Sequence, residues 1–303
     1  MLLNELSDGM EIDQALLVRE AERRRRRDGG DYLRLQLGDR TGAVACMVWE
    51  EVEQAEELAR PGSYAPEDLR DGPGRTLEQM EGEIRELLAT IRQPHLRALL
   101  EVVFGERSQL WAEYCDAPAA KHYHQAYRHG LLEHSLGVAQ GVSAISATFP
   151  GIDRDVAVTG ALLHDIGKVD AYAEEGGGID LTDAGRLHGE IALGYYRIRR
   201  AIEEIDGFPP ELAQAVCHII LSHHGTLEHG SPVVPCTREA TLVHMIDNLG
   251  GRLGSFDRLE KELTPGRRWS PFDRALGAGA YFAARENAAA EDGPPPAPAR
   301  EAA

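Results

Sequence analysis

Lysine is nearly missing from this chain: Lys121, Lys168 and Lys261 are the only three among 32 basic residues, and arginine fills the other positions. Basic residues are outnumbered by 50 acidic ones, for a formal charge of -18. Such a balance excludes a surface that coats nucleic acid indiscriminately, so any polyanion must be met locally. Cysteine is sparse too. Cys46, Cys115, Cys217 and Cys236 form no Cys-x-x-Cys pair, which argues against a disulfide framework and fits free thiols in a reducing compartment. No run approaches the ~20 apolar residues of a membrane span, and Met1 to Ile12 carries acids where a secretory signal has a basic end. These absences predict a cytoplasmic protein with no membrane partner. No internal repeat is present, and 303 residues suffice for one large domain or two modest ones.

The first part reads as β-rich. Ala15 to Arg19, the alternating Tyr32 to Leu37 and Ala43 to Trp49 make a three-stranded meander, with a turn at Gly38 to Gly42. Between the first two strands, Glu22 to Gly30 carries five consecutive arginines as a turn, either a phosphate-contacting loop or a solvated tip offset by the acidic background. Composition then shifts to Pro, Gly, Asp and Glu from Arg60 to Arg75, the signature of a linker. Helices are predicted over Thr76 to Arg92 and Leu96 to Tyr114, separated by Pro94, and through most of Ala119 to Arg285. Two interruptions, Glu174 to Gly178 and Gly225 to Cys236, are expected at the rim of a cleft. The organisation is therefore 1–64 as a small β domain, 65–75 as linker, 76–285 as a helical domain and 286–303 as an Ala/Pro/Glu-rich tail without periodicity, expected to be disordered.

The chemistry centres on Ala161-Leu-Leu-His164-Asp165-Ile-Gly167-Lys168. A His-Asp doublet ending the apolar run Val156 to Leu163 is costly to bury unless a cation satisfies it. Further ligands are at hand in His134, His188, the doublet His223-His224 and Asp247, each in or beside an apolar segment. Adjacent residues on a helix point about 100° apart, so Asp165 is placed to bridge two ions rather than to chelate one with His164. His134, His164, Asp165 and Asp247 would form the first site, and His188, His223 and His224 with the other oxygen of Asp165 the second. Imidazole mixed with carboxylate suits Mn, Fe, Co, Ni or Zn and disfavours Ca. Two ions about 3.5 to 4 Å apart suit phosphate ester hydrolysis. Asp165 and Lys168 are the catalytic candidates, with Lys168 set against a phosphate oxygen or orienting Asp165. Lys121, His124 and Arg128 could add a substrate-binding edge.

These motifs together resemble the HD superfamily of metal-dependent phosphohydrolases. Finer features, Ala117-Pro-Ala-Ala-Lys121 with His124, Leu221-Ser-His-His-Gly225 followed by Gly230-Ser-Pro232, and His244-Met-Ile-Asp247-Asn248-Leu249, resemble the YhaM type of 3'-5' exoribonuclease. The resemblance spans about residues 13 to 285. It implies a mainly α fold, an all-helical HD domain behind a small OB-fold, with Mn or a related divalent ion, in one or two copies, and a single-stranded RNA or oligonucleotide substrate. An OB-fold would need two further strands after Trp49, yet Pro61-Gly-Ser-Tyr64 passes straight into the acidic linker, so the β domain reads as truncated. An open three-stranded edge implies packing on the helical domain, a homo-oligomer, or a poorly ordered remnant. Alternatives are a nucleotide or cyclic-nucleotide phosphohydrolase, favoured by the eroded OB region, and a non-catalytic nucleic-acid-binding module with a vestigial site, disfavoured by the intact ligand set.

Overall fold

A computed structural model describes residues 16–283, apart from 27–28, 40–41, 59–71, 106, 122–124, 176–177, 262 and 264–266. The N-terminal region to 15, most of the linker and the tail lie outside the described residues. Strands β1 (Leu17–Arg25), β2 (Asp31–Asp39) and β3 (Gly42–Val48) form an antiparallel sheet in the order β1-β2-β3. Alternation in β2 puts Leu33 and Leu35 inside, as the period of two requires. Helix α1 (Val52–Leu58) packs on β2, and no further strand joins this sheet among the described residues.

The arginine run differs from its expected placement at a turn. Arg23, Arg24 and Arg25 lie in β1, paired with Leu33, Tyr32 and Asp31. Two of these guanidiniums are spent locally: Arg23 reaches Asp31 at 2.9 Å and Glu56 at 3.3 Å, and Arg24 reaches Glu22 at 2.6 Å. Arg26 lies over the Trp49 ring, which stacks on Tyr32 at 4.9 Å. Pairing of these arginines with acids on β1, β2 and α1 extends the strand into a segment that reads as a loop by composition alone.

The rest is a helical bundle. Thr76 caps α2 (Leu77–Ala89) in a reciprocal capping box with Gln79. Pro94 opens α3 (Pro94–Phe104) at its first turn. The helix expected over Leu96 to Tyr114 is two, since Gly105 closes α3 and Ser108 precedes α4 (Gln109–Asp116). Helices α5 (Gly130–Ser146) and α6 (Arg154–Leu163) pack at the centre against α10 (Pro210–Ser222) and α11 (Arg238–Lys261). Every residue from Val156 to Leu163 is buried, so α6 is apolar on all sides because other helices surround it. Tyr114 Oη donates to the Leu162 carbonyl at 3.0 Å, fixing the end of α6.

One hairpin interrupts the helices and a second follows them. After α7 (Lys168–Ala171), β4 (Tyr172–Glu175) pairs with β5 (Gly178–Leu181), leading to α8 (Asp183–His188) and α9 (Glu190–Glu203). After α11, β6 (Trp269–Asp273) pairs with β7 (Ala278–Tyr281). The interruption expected at Gly225 to Cys236 is a loop with a 3-10 turn at Leu227–His229.

Candidate metal centre

Helices α6 and α10 each end in a histidine that folds back on its own helix. His164, the C-cap of α6, places Nδ1 2.7 Å from the Ala161 carbonyl, and His223, the C-cap of α10, places Nδ1 2.8 Å from the Ile220 carbonyl. Each bond fills a carbonyl that a helix C-terminus leaves without a partner. A carbonyl only accepts, so Nδ1 carries a proton, and in the neutral ring Nε2 presents a lone pair. His134 is oriented likewise by the Gln125 side-chain oxygen at 3.1 Å, and His224 by the His229 carbonyl at 2.9 Å. Ligand imidazoles are held in this way at metal sites.

The Nε2 atoms of His134, His164 and His223 converge on Asp165, which is 2 % exposed. Its Oδ2 lies 3.3 Å from His134 Nε2, 3.4 Å from His164 Nε2 and 2.7 Å from Lys168 Nζ. On the other side, Oδ1 faces His223 Nε2 at 3.3 Å. Asp247, from α11, sets Oδ1 3.1 Å from His134 Nε2 and 3.8 Å from His164 Nε2. His224 Nε2 meets Glu190 Oε1 at 3.3 Å. Ligand atoms of His134, His164 and Asp165 form one compact group, and those of Asp165, Glu190, His223 and His224 a second.

Asp165 Oδ1 and His223 Nε2 are buried and neither has a hydrogen-bond partner. In the neutral ring with Nδ1 protonated, two lone pairs face each other in a dry setting, which is unfavourable unless a cation neutralises them. The donor set, imidazole nitrogens and carboxylate oxygens from two sides of one aspartate, fits a divalent transition metal.

Electrostatics point the same way. Burial alone would raise the Asp165 pKa, but the Lys168 ammonium and His164 overcome it and hold the carboxyl well below the usual range. Asp247 is lowered against the pull of burial by its bond to His134 and by His164. Burial opposes charge on His134 as well, yet Asp165 and Asp247 raise it to about 9. Lys168 is raised, burial being outweighed by Asp165 and Glu190.

Close backbone approach makes this convergence possible. A Cβ on Gly167 would sit 1.9 Å from the Glu190 carbonyl and 2.5 Å from Gly194 N, so only glycine lets α9 reach the end of α6. Gly225 has φ +83 and meets the His244 ring. That ring places Nδ1 2.7 Å from the His223 carbonyl and so braces the His-His corner.

The expected first set, His134, His164, Asp165 and Asp247, is thus assembled, and Lys168 is an ion-pair partner of Asp165. In the second set His223 and His224 are present, but His188 lies exposed at the end of α8, outside both groups, and Glu190 takes its place. Gly189, with φ 74, turns the chain between them. An acid opening a helix reads from sequence as a favourable dipole charge, which conceals Glu190. Gln125 carries no sequence signal either. Of the expected substrate edge, Lys121 pairs with Asp180 at 2.8 Å and Arg128 with Asp116 at 2.9 Å, while His124 lies outside the described residues.

Residues 131–251 match the HD domain family. The helical core around this centre carries that match, and the protein is a metal-dependent hydrolase. Over 295 residues the chain is 29% identical to a protein of Bacillus subtilis (strain 168) named 3'-5' exoribonuclease YhaM, covering 85% of this chain and 90% of that one. Proteins of the same name from Shouchella clausii (strain KSM-K16) and Bacillus licheniformis are 28% identical over 292 residues and 27% over 287, each covering 85% of this chain, with 89% and 90% of the relatives covered. The resemblance to YhaM-like HD proteins therefore extends beyond residues 131–251 to 85% of the chain. No solved structure matches the chain, and no helix among the described residues is long and apolar enough to cross a membrane.

Proposed function

We propose that this protein is a 3'-5' exoribonuclease that removes nucleotides from single-stranded RNA or short oligonucleotides with Mn or a related divalent ion. The observation that carries the reading is the placement of Asp165, whose two oxygens face separate groups of ligand-type atoms. The activity for which the relatives are named supplies the substrate class. His134, His164, Asp165 and Asp247 would hold one ion, and Asp165, Glu190, His223 and His224 a second. Divalent ions there supply Lewis acidity toward a phosphoryl oxygen and lower the pKa of water.

The chain's own residues prepare that chemistry. Lys168 keeps Asp165 ionised in a buried position. The four Nδ1 contacts fix the rings so that no rotation is needed when a substrate arrives. A second reading, hydrolysis of a small nucleotide or cyclic nucleotide, is favoured by the pairing of Arg23 and Arg24 with acids, which leaves the β sheet less charge for a long strand.

Incubation with Mn and a 5'-labelled single-stranded RNA, beside Asp165→Ala, tests both. Progressive shortening from the 3' end by the wild type alone is the expected result. An intact RNA with turnover of a small nucleotide would move the assignment to the second reading.

A further inference from the structure

We infer that the β6–β7 hairpin is a single-stranded RNA platform that stacks bases of the strand whose end occupies the metal centre. The inference rests on the exoribonuclease reading for the identity of its ligand and on the hairpin's own surface for its location. Trp269 pairs with Tyr281, Phe272 with Gly279 and Asp273 with Ala278, with a register shift between Trp269 and Phe272. Paired residues share a face, and Gly279 and Tyr281 are two apart on β7, so the bulge rotates Phe272 onto the face that Trp269 and Tyr281 occupy. That face points outward: Trp269 is 62 % exposed, Phe272 70 % and Tyr281 49 %. Trp269 and Tyr281 hold their rings 5.1 Å apart. The opposite face fastens the hairpin, through buried Ala280 and the Asp273–Arg258 pair at 2.5 Å.

Charge identifies the occupant. Residues 267–283 carry Arg267, Arg268 and Arg274 against one acid, Asp273, already held by Arg258. All three arginines are exposed, and no carboxylate among the described residues pairs with them. In a chain of charge -18, an aromatic row flanked by unspent guanidiniums is complementary to bases and phosphates of a single strand. The same face meeting itself across a two-fold axis would oppose three arginines with three, without an acid to offset them. Position also suits the role. Arg252 and Arg258 of α11 bond the hairpin, at the Leu276 carbonyl and Asp273, and they follow the site residue Asp247 on the same helix by roughly 8 to 16 Å of axial rise.

The test is fluorescence anisotropy with the metal-loaded protein and a 5'-fluorescein single-stranded RNA of about 12 nucleotides, its 3'-terminal linkages replaced by methylphosphonates that resist hydrolysis. Trp269→Ala/Phe272→Ala is expected to weaken binding about tenfold or more. Arg267→Ala/Arg268→Ala is expected to flatten the salt dependence by about 0.7 in log-log slope for each phosphate that is no longer neutralised. Thermal unfolding and turnover of bis(p-nitrophenyl) phosphate should stay at wild-type values in both, showing that the fold and the metal centre are intact. Wild-type affinity in both variants, or a wild type that does not bind the RNA, overturns the inference. So does a dimeric wild type that becomes monomeric in the variants, which would assign this face and the neighbouring stripe Met245, Leu249, Leu253 and Phe256 to contact between copies. The two proposals fail separately. Shortening of ordinary RNA with hairpin-independent binding removes only the platform, and hairpin-dependent binding without shortening removes only the exoribonuclease reading.

Discussion

Glu190 Oε1 lies 3.3 Å from His224 Nε2, at the first residue of α9, while His188 two positions earlier faces solvent. The carboxylate, rather than the imidazole, lies within the second group of ligand-type atoms. Glu190→Gln should therefore weaken the second ion by more than about tenfold, the scale of disturbing a metal's immediate surroundings, whereas His188→Gln should leave stoichiometry unchanged. Metal titration by calorimetry with elemental analysis separates the two, and a larger loss in His188→Gln would return that residue to the site.

His134 bears on pH. Its pKa in the metal-free protein, raised to about 9 by Asp165 and Asp247, lies above the ordinary value of about 6.5. Protonated His134 therefore stabilises the metal-free fold below about pH 6.5, and that contribution is lost as pH rises through 9. A metal taking Nε2 must displace this proton. Calorimetry near neutral pH in buffers of different ionisation enthalpy should show about one proton released per protein, with apparent affinity rising up to about pH 9. Absence of proton release would contradict this arrangement.

Gly167→Ala should damage stability and site together. The added methyl would meet the Glu190 backbone at 1.9 Å, and relief requires α9 to move outward, at about 1–3 kcal/mol. Urea unfolding measures the first effect and affinity for the second ion the other. A variant as stable as wild type would show that α9 moves freely.

Asp155 provides a contrast far from the chemistry. Its carboxylate accepts from Arg92 N at 2.7 Å and Gln93 N at 2.9 Å, tying the α2–α3 junction to α6. Asp155→Ala should lower stability by about 1–2 kcal/mol and leave turnover unchanged when assayed below the unfolding transition.

Much of the centre is legible in the sequence because burying His164 and Asp165 at the end of an apolar run makes chemical sense only with a partner, and Asp247 and His223 follow from the same demand. Glu190 is hidden because its reason for being there is the missing Cβ of Gly167, a relation between residues distant in sequence. The β6–β7 hairpin reads as helix because Pro271 and the bulge break the alternation that marks a strand. The arginine run reads as a tip because charge density alone does not reveal that Asp31 waits on the neighbouring strand and Glu56 on α1.

The histidines that close α6 and α10 by bonding their own Ala161 and Ile220 carbonyls make fraying of those helices and loosening of the centre a single event. Amide hydrogens in the last turns of both helices should then exchange with solvent at a rate governed by ion occupancy, slowing together as the centre fills. Backbone order at two helix ends thus becomes a gauge of ligand binding, readable without any substrate.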